Sequence, residues 1–160
     1  MFKTVSSVVA ALACAAMAAP SHAQSFLPST GTLTGSGGAV TLTQTMAVNC
    51  TIWAPIFDVL SASSISIPAH DLTTPSSLLC GSLATTYGIW TAHVVPGSTV
   101  EIDIQFGFNL ASPCYGTIRA QWSNSTRRAT FNNVMLLAVN PAQPNCIVSG
   151  LISVPSLQIL

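Results

Sequence analysis

Apolar and polar residues alternate with a period of two along most of the chain beyond residue 40. Between Val40 and Trp53, one side carries Val40, Leu42, Gln44, Met46, Val48, Cys50 and Ile52. The other carries Thr41, Thr43, Thr45, Ala47, Asn49 and Thr51. This is the signature of one long strand with an apolar face and a Thr-rich hydrated face. Trp53 ends it on the polar side and Pro55 breaks it. Ahead of it, Thr30–Thr34 is a candidate first strand and Gly35-Ser-Gly-Gly38 a flexible turn. Ile56–Leu60 and Ile65–Ile67 read as short strands, and His70-Asp71 as part of a turn before Pro75. Ser76–Leu83 has no pattern that decides between a helical turn and an irregular crossing.

The same alternation returns in two hairpins. Tyr87–Val95 sets Trp90, Ala92 and Val94 on one side. Pro96-Gly-Ser98 then turns the chain into Thr99–Asn109, where Val100, Ile102, Ile104, Phe106 and Phe108 share a face. Next, Cys114, Gly116, Ile118, Ala120 and Trp122 oppose Tyr115, Thr117, Arg119 and Gln121. Ser123–Thr126 supplies turn residues, and Arg128–Phe131 resumes an extended chain. Asn132-Asn133 marks a bend or bulge before a strand over Val134–Val139. A last strand carries Cys146, Val148, Gly150, Ile152 and Val154 on one face. No stretch beyond the first residues shows helical periodicity. The expected fold is all-β, an antiparallel sandwich of Ig-like, Greek-key type, with a barrel as the alternative, following an N-terminal signal helix.

That helix belongs to an expected leader. Lys3, the apolar run Val8–Ala19 and Ser21-His-Ala23 have the form of a bacterial secretory signal, which makes residues 1–23 the leader and 24–160 a single domain. The apolar run is shorter than a spanning helix, and no later stretch is long and apolar enough to cross a bilayer as a helix.

Charge changes the picture further. Only 5% of residues are charged, against roughly 25% in ordinary globular domains. With Lys3 set aside, Arg119, Arg127 and Arg128 face Asp58, Asp71, Glu101 and Asp103, three minus four, a net charge of −1. No basic patch of the size that nucleic acid requires is present. The surface must instead be hydrated by Ser, Thr, Asn and Gln. Such an exterior carries little mutual repulsion and permits adsorption to apolar interfaces or self-association.

Cys14 falls in the leader, which leaves Cys50, Cys80, Cys114 and Cys146. An even count in an exported chain points to two disulfides, with three pairings open. Cys50–Cys80 and Cys114–Cys146 are favoured because each joins sequence neighbours that can sit on adjacent strands. Loops of that length imply about 3–4 kcal/mol of stabilisation each. A zinc site is disfavoured, since no C-x-x-C or C-x-x-H pair exists.

No catalytic constellation stands out, and neither a metal nor a cofactor is expected. There is no G-x-S-x-G elbow. His70 beside Asp71 reads as a solvated turn and His93 as a strand residue. Glu101 and Asp103 share one face as the wet side of a strand whose other side is apolar. Trp90 and Trp122 fall on apolar faces and are expected in the core. Trp53, on the Thr-rich face, is the candidate exposed aromatic. Arg127-Arg128, at a hairpin tip, is the other candidate surface contact.

Several short segments taken together resemble the secreted "protein activator of alkane oxidation" family of Gram-negative bacteria. They are Val48-Asn-Cys50, Leu79-Cys-Gly81 with Gly88-Ile-Trp90, Ser112-Pro-Cys-Tyr-Gly116, Gln121-Trp-Ser-Asn124 with Ala129-Thr-Phe131, and Asn145-Cys-Ile-Val148. The resemblance implies a non-enzymatic extracellular protein with no catalytic residues. Its partner would be a hydrocarbon or lipid interface, where it assists alkane uptake by emulsifying or wetting the oil. The alternative is a biofilm-matrix adhesin or filament subunit that associates with copies of itself through strand edges, with Gln24–Thr34 as a donor strand.

Overall fold

A computed structural model describes residues 24–35, 38–73, 80, 84–108 and 111–160, with the backbone alone at 53–54 and 69–73. The expected leader, residues 36–37 of the glycine-rich stretch, and Ser76–Leu83 apart from Cys80 lie outside the described residues.

Every described element is a strand. They are β1 (Phe26–Leu27), β2 (Gly31–Thr34), β3 (Gly38–Thr43), β4 (Ala47–Ser61), β5 (Ser64–Thr73), β6 (Ala84–Val95), β7 (Thr99–Phe108), β8 (Cys114–Ser123), β9 (Arg128–Ala138), β10 (Cys146–Ser153) and β11 (Gln158–Ile159). The pairings are antiparallel and the body is sandwich-like, as the alternation predicts. The connections are simpler than a Greek key. From β3 to β10 each strand pairs with its successor, and β10 pairs back to β3. Turns at 44–46, 62–63, 96–98 and 124–127 are too short to let a strand do anything but fold back on the one before it. Because β4 also pairs with β5, the curled sheet closes on itself.

Three sequence expectations are corrected here. Val40–Trp53 is not one strand. It turns at Gln44–Met46, so that Leu42 faces Val48 and Thr43 faces Ala47. A three-residue turn leaves paired positions with the same parity, so period-two alternation runs through the reversal unmarked. The chain also does not break at Pro55. β4 runs through it for 15 residues, with Pro55 fully buried at an irregularity in the β4–β5 ladder. Because β4 continues, it offers an edge to the residues after Pro68. His70 and Asp71 therefore lie in β5, with Asp71 opposite Trp53, rather than in a turn.

The glycine-rich segment is likewise no reversal. β2 and β3 pair with β4 in one register, Gly31 opposite Val59 and Gly38 opposite Ile52, and the Gly35 N–H donates to the Pro55 carbonyl between them at 2.8 Å. The glycines are there for closeness. A β-carbon on Gly35 would sit 2.7 Å from Pro55 Cγ, and one on Gly38 would strike the Leu151 carbonyl.

Gln24–Thr34 is not a loose donor strand. Phe26 is buried, β1 pairs with β11, and β2 pairs with β4. The Phe26 N–H donates to Ala62 O, and Ser25 and Leu160 exchange two backbone bonds of 3.1 and 2.9 Å. The β1–β11 pair thus plugs the end of the body where the 62–63, 96–98 and 124–127 turns lie.

One apolar cluster fills the interior. Trp90 and Trp122 belong to it as expected, and Trp90 meets Phe106 edge-on with ring centroids 6.1 Å apart. Each indole N–H is satisfied, by Gln105 O at 3.2 Å and by Asn124 Oδ1 at 2.7 Å. Among the described residues, two apolar voids within this cluster measure about 20 and about 10 Å³.

Candidate functional site: an apolar patch on the outer face

The outer face is built mostly from Thr, Ser, Asn and Gln, and most of its few described charges are held by neighbouring side chains or backbone. Arg119 pairs with Glu101 at 2.8 Å across β7–β8. Asp103 accepts from Thr117 and Thr91, and Asp58 from Thr32. Glu101 and Asp103 are thus tied to cross-strand neighbours on the wet side of β7. His93 is exposed on β6, opposite Ser64 on one side and Glu101 on the other. Among the described residues no three His, Cys, Asp or Glu side chains gather to hold a metal.

The sequence-predicted contact residues do not form one site. Trp53 lies in the middle of β4, and its side chain falls outside the described residues. Arg127 and Arg128 lie at the β8–β9 turn. Arg127, with φ of 55°, donates from Nη1 to Leu157 O at 3.0 Å and so anchors the C-terminal segment. Arg128 is exposed.

The four cysteines form two bridges, Cys50–Cys80 and Cys114–Cys146, with Cα–Cα distances of 5.8 and 6.0 Å. The second bridge marks the end of the body opposite the β1–β11 plug. Here the outer face changes character. Tyr115 stands across from Leu137, and Met135 across from Ile147, in adjacent strand pairs. The four side chains form a block whose exposure runs from 45% at Ile147 to 61% at Met135. Exposed Val139 extends the block along the chain. Exposed Met46 lies in the neighbouring 44–46 turn, which Gln44 Nε2 ties to Ser112 O and Pro144 O at 3.1 and 2.9 Å.

A bulge in β9 creates this block. Ala129 and Phe131 point inward before it, Leu136 and Ala138 after it. The extra residue falls at Asn132-Asn133, as the sequence suggests, where the β9–β10 register shifts and Asn133 takes φ of 50°. Ser149 clamps the bulge: its Oγ accepts the Asn133 N–H at 2.8 Å and donates to Asn132 Oδ1 at 3.2 Å. The change of phase turns Met135 and Leu137 outward. The run Val134-Met-Leu-Leu137 does not reveal this by itself, since four consecutive apolar residues carry no phase. The Asn-Asn pair was the available signal.

Beside the block, an open depression of about 410 Å³ is lined by Thr41, Asn49 and Ser149 together with Val40, Phe131 and Leu151. It carries no charged side chain.

Compared with known protein families, residues 1–160 match the model described as alkane oxidation protein activator PraA/PraB-like. The chain belongs to that family. The match spans the whole sequence and agrees with the resemblance carried by the four cysteines, Trp90 and Trp122. No match was found among curated proteins or among solved structures. The family's name suggests a role as an activator of alkane oxidation, accessory rather than catalytic.

Proposed function

We propose that this PraA/PraB-like protein is exported and acts without catalysis at the cell surface or the oil–water interface, where it assists alkane uptake by wetting or emulsifying the oil. The observation that carries the reading is a filled core beneath a nearly neutral exterior with an apolar block on it. Voids of about 20 and 10 Å³ are far too small for a hydrocarbon chain, since even benzene occupies an engineered cavity of roughly 150 Å³. Neither of these two voids holds an alkane, which favours contact with oil at the outer surface. Two disulfides suit an oxidising, extracytoplasmic setting and keep the sheet folded where an interface pulls at the core.

The filament reading has less support. Closure of the ladder removes most free edges, and β2, four residues long and paired only with β4, is a short one to extend.

Pendant-drop tensiometry of the exported, purified protein at a hexadecane–water interface tests the proposal. A fall in tension at micromolar protein, with the near-ultraviolet circular dichroism retained after recovery, is expected. Unchanged tension ends it.

A further inference from the structure

We infer that the block at the Cys114–Cys146 end is the face that meets liquid hydrocarbon, so that the molecule adsorbs in one orientation. This inference rests on the interfacial reading and adds to it which surface makes the contact.

The first support is the arrangement of charge along the strands. Met46, Tyr115, Met135, Leu137, Val139 and Ile147 cluster at one pole. Among the described side chains, charge begins at the cross-strand row that runs from Asp58 on β4 to Asp103 and Thr117 on β7 and β8. It continues at Glu101–Arg119 and ends at Arg127 and Arg128 by the far turn. Hydrocarbon offers no charge, and the block carries none, while the exposed amides of Asn140, Gln143 and Asn145 stand at its margin in the 140–145 loop.

The second support is the backbone. Tyr115–Leu137, Cys146–Leu136, Ile147–Met135 and Ile147–Thr43 are all ladder pairs within a closed sheet. These ladder pairs match backbone groups within the protein at those positions, and the Val139 N–H donates to Pro113 O at 2.9 Å. Immersion there strips water mainly from apolar side chains. The β8–β9 ladder itself is interrupted between Tyr115 and Gln121.

The third support is shape. The block consists of side chains standing on the outside of strands, and none of its members lines the described depression or either void. A single small ligand needs a cleft that surrounds it. A liquid surface needs only an apolar area laid against it. Tyr115, with an apolar ring and a polar hydroxyl, suits the margin of such a contact.

The test compares two sets of substitutions in tensiometry at the hexadecane–water interface. Met135→Thr, Leu137→Thr and Ile147→Thr together remove the block while keeping a residue type that favours strands. Leu60→Thr with Ile89→Thr removes two equally exposed apolar side chains elsewhere, 62% and 66% exposed in the parent. The triple variant is expected to need about tenfold more protein for the same fall in tension, because the apolar area that drives adsorption is lost. The double variant should behave as the parent does. If both variants weaken alike, adsorption has no preferred face and the inference fails while the interfacial reading stands. If light scattering finds a dimeric parent and a monomeric triple variant, the block joins copies of the chain and the inference fails. If the parent itself does not adsorb, both fall. A second measurement needs no variant: peroxide oxidation of Met46 and Met135, followed by mass spectrometry. Both should be protected when the protein coats droplets, and oxidation at the solution rate overturns the inference.

Discussion

Ser149 Oγ holds the backbone N–H of Asn133 at 2.8 Å, and this contact sits where β9 changes phase. Before it the odd-numbered residues Ala129 and Phe131 face the core. After it the even-numbered Leu136 and Ala138 do. The outward position of Met135 and Leu137 is therefore a property of the bulge rather than of those residues.

Ser149→Ala should accordingly destabilise the fold by about 1 kcal/mol through the lost bonds. Deleting Asn133 should do far more. It rotates Leu136, fully buried, away from the core, at a cost of about 2–5 kcal/mol. Urea unfolding followed by tryptophan fluorescence measures both, and a deletion no worse than the serine variant would show that the bulge does not set the phase.

Gly38 is constrained by the Leu151 carbonyl, which occupies the place of its β-carbon. Gly38→Ala should force β3 from β10 and cost about 1–3 kcal/mol or more. The melting midpoint of the purified variant reads this directly; an unchanged midpoint would mean that the strands yield without loss.

Phe26 plugs one end of the body beside Trp122 and Leu157, next to the larger of the two voids. Phe26→Ala should enlarge that void and cost about 3–5 kcal/mol. If Gln24–Thr34 were instead a strand held for another molecule, the substitution would leave the melting curve of the isolated protein where it was.

Removing the Cys114–Cys146 bridge by the double substitution Cys114→Ser and Cys146→Ser should cost about 2–5 kcal/mol. The bridge joins the start of β8 to the start of β10, both buried beneath the apolar block. Chemical denaturation of the double variant, compared with the parent under non-reducing conditions, is the measurement.

The fold was legible in the sequence wherever one face of a strand is wholly apolar. Thr99–Phe108 and Cys114–Ser123 alternate without interruption, and their turns carry Pro-Gly-Ser and Ser-Asn-Ser-Thr. The alternation could not reveal the turn at Gln44–Met46, whose odd length preserves parity. Glycine and proline misled for a related reason. Gly35, Gly38 and Pro55 act as breakers in an isolated chain, but within the sheet the glycines allow close approach and the proline occupies an irregular, buried position. The cysteine pairing followed from sequence proximity. The apolar block did not emerge, because Tyr115, Met135 and Ile147 lie on three strands and meet only once the bulge has fixed the register.

Ser25 and Leu160 exchange backbone bonds at the pole opposite Tyr115 and Leu137. A bead, dye or carrier fused at Leu160 would trail on the aqueous side of an adsorbed film. The same adjacency makes residues 25–160, taken alone, a candidate for circular permutation, with a short bridge from Leu160 to Ser25 and new ends opened elsewhere.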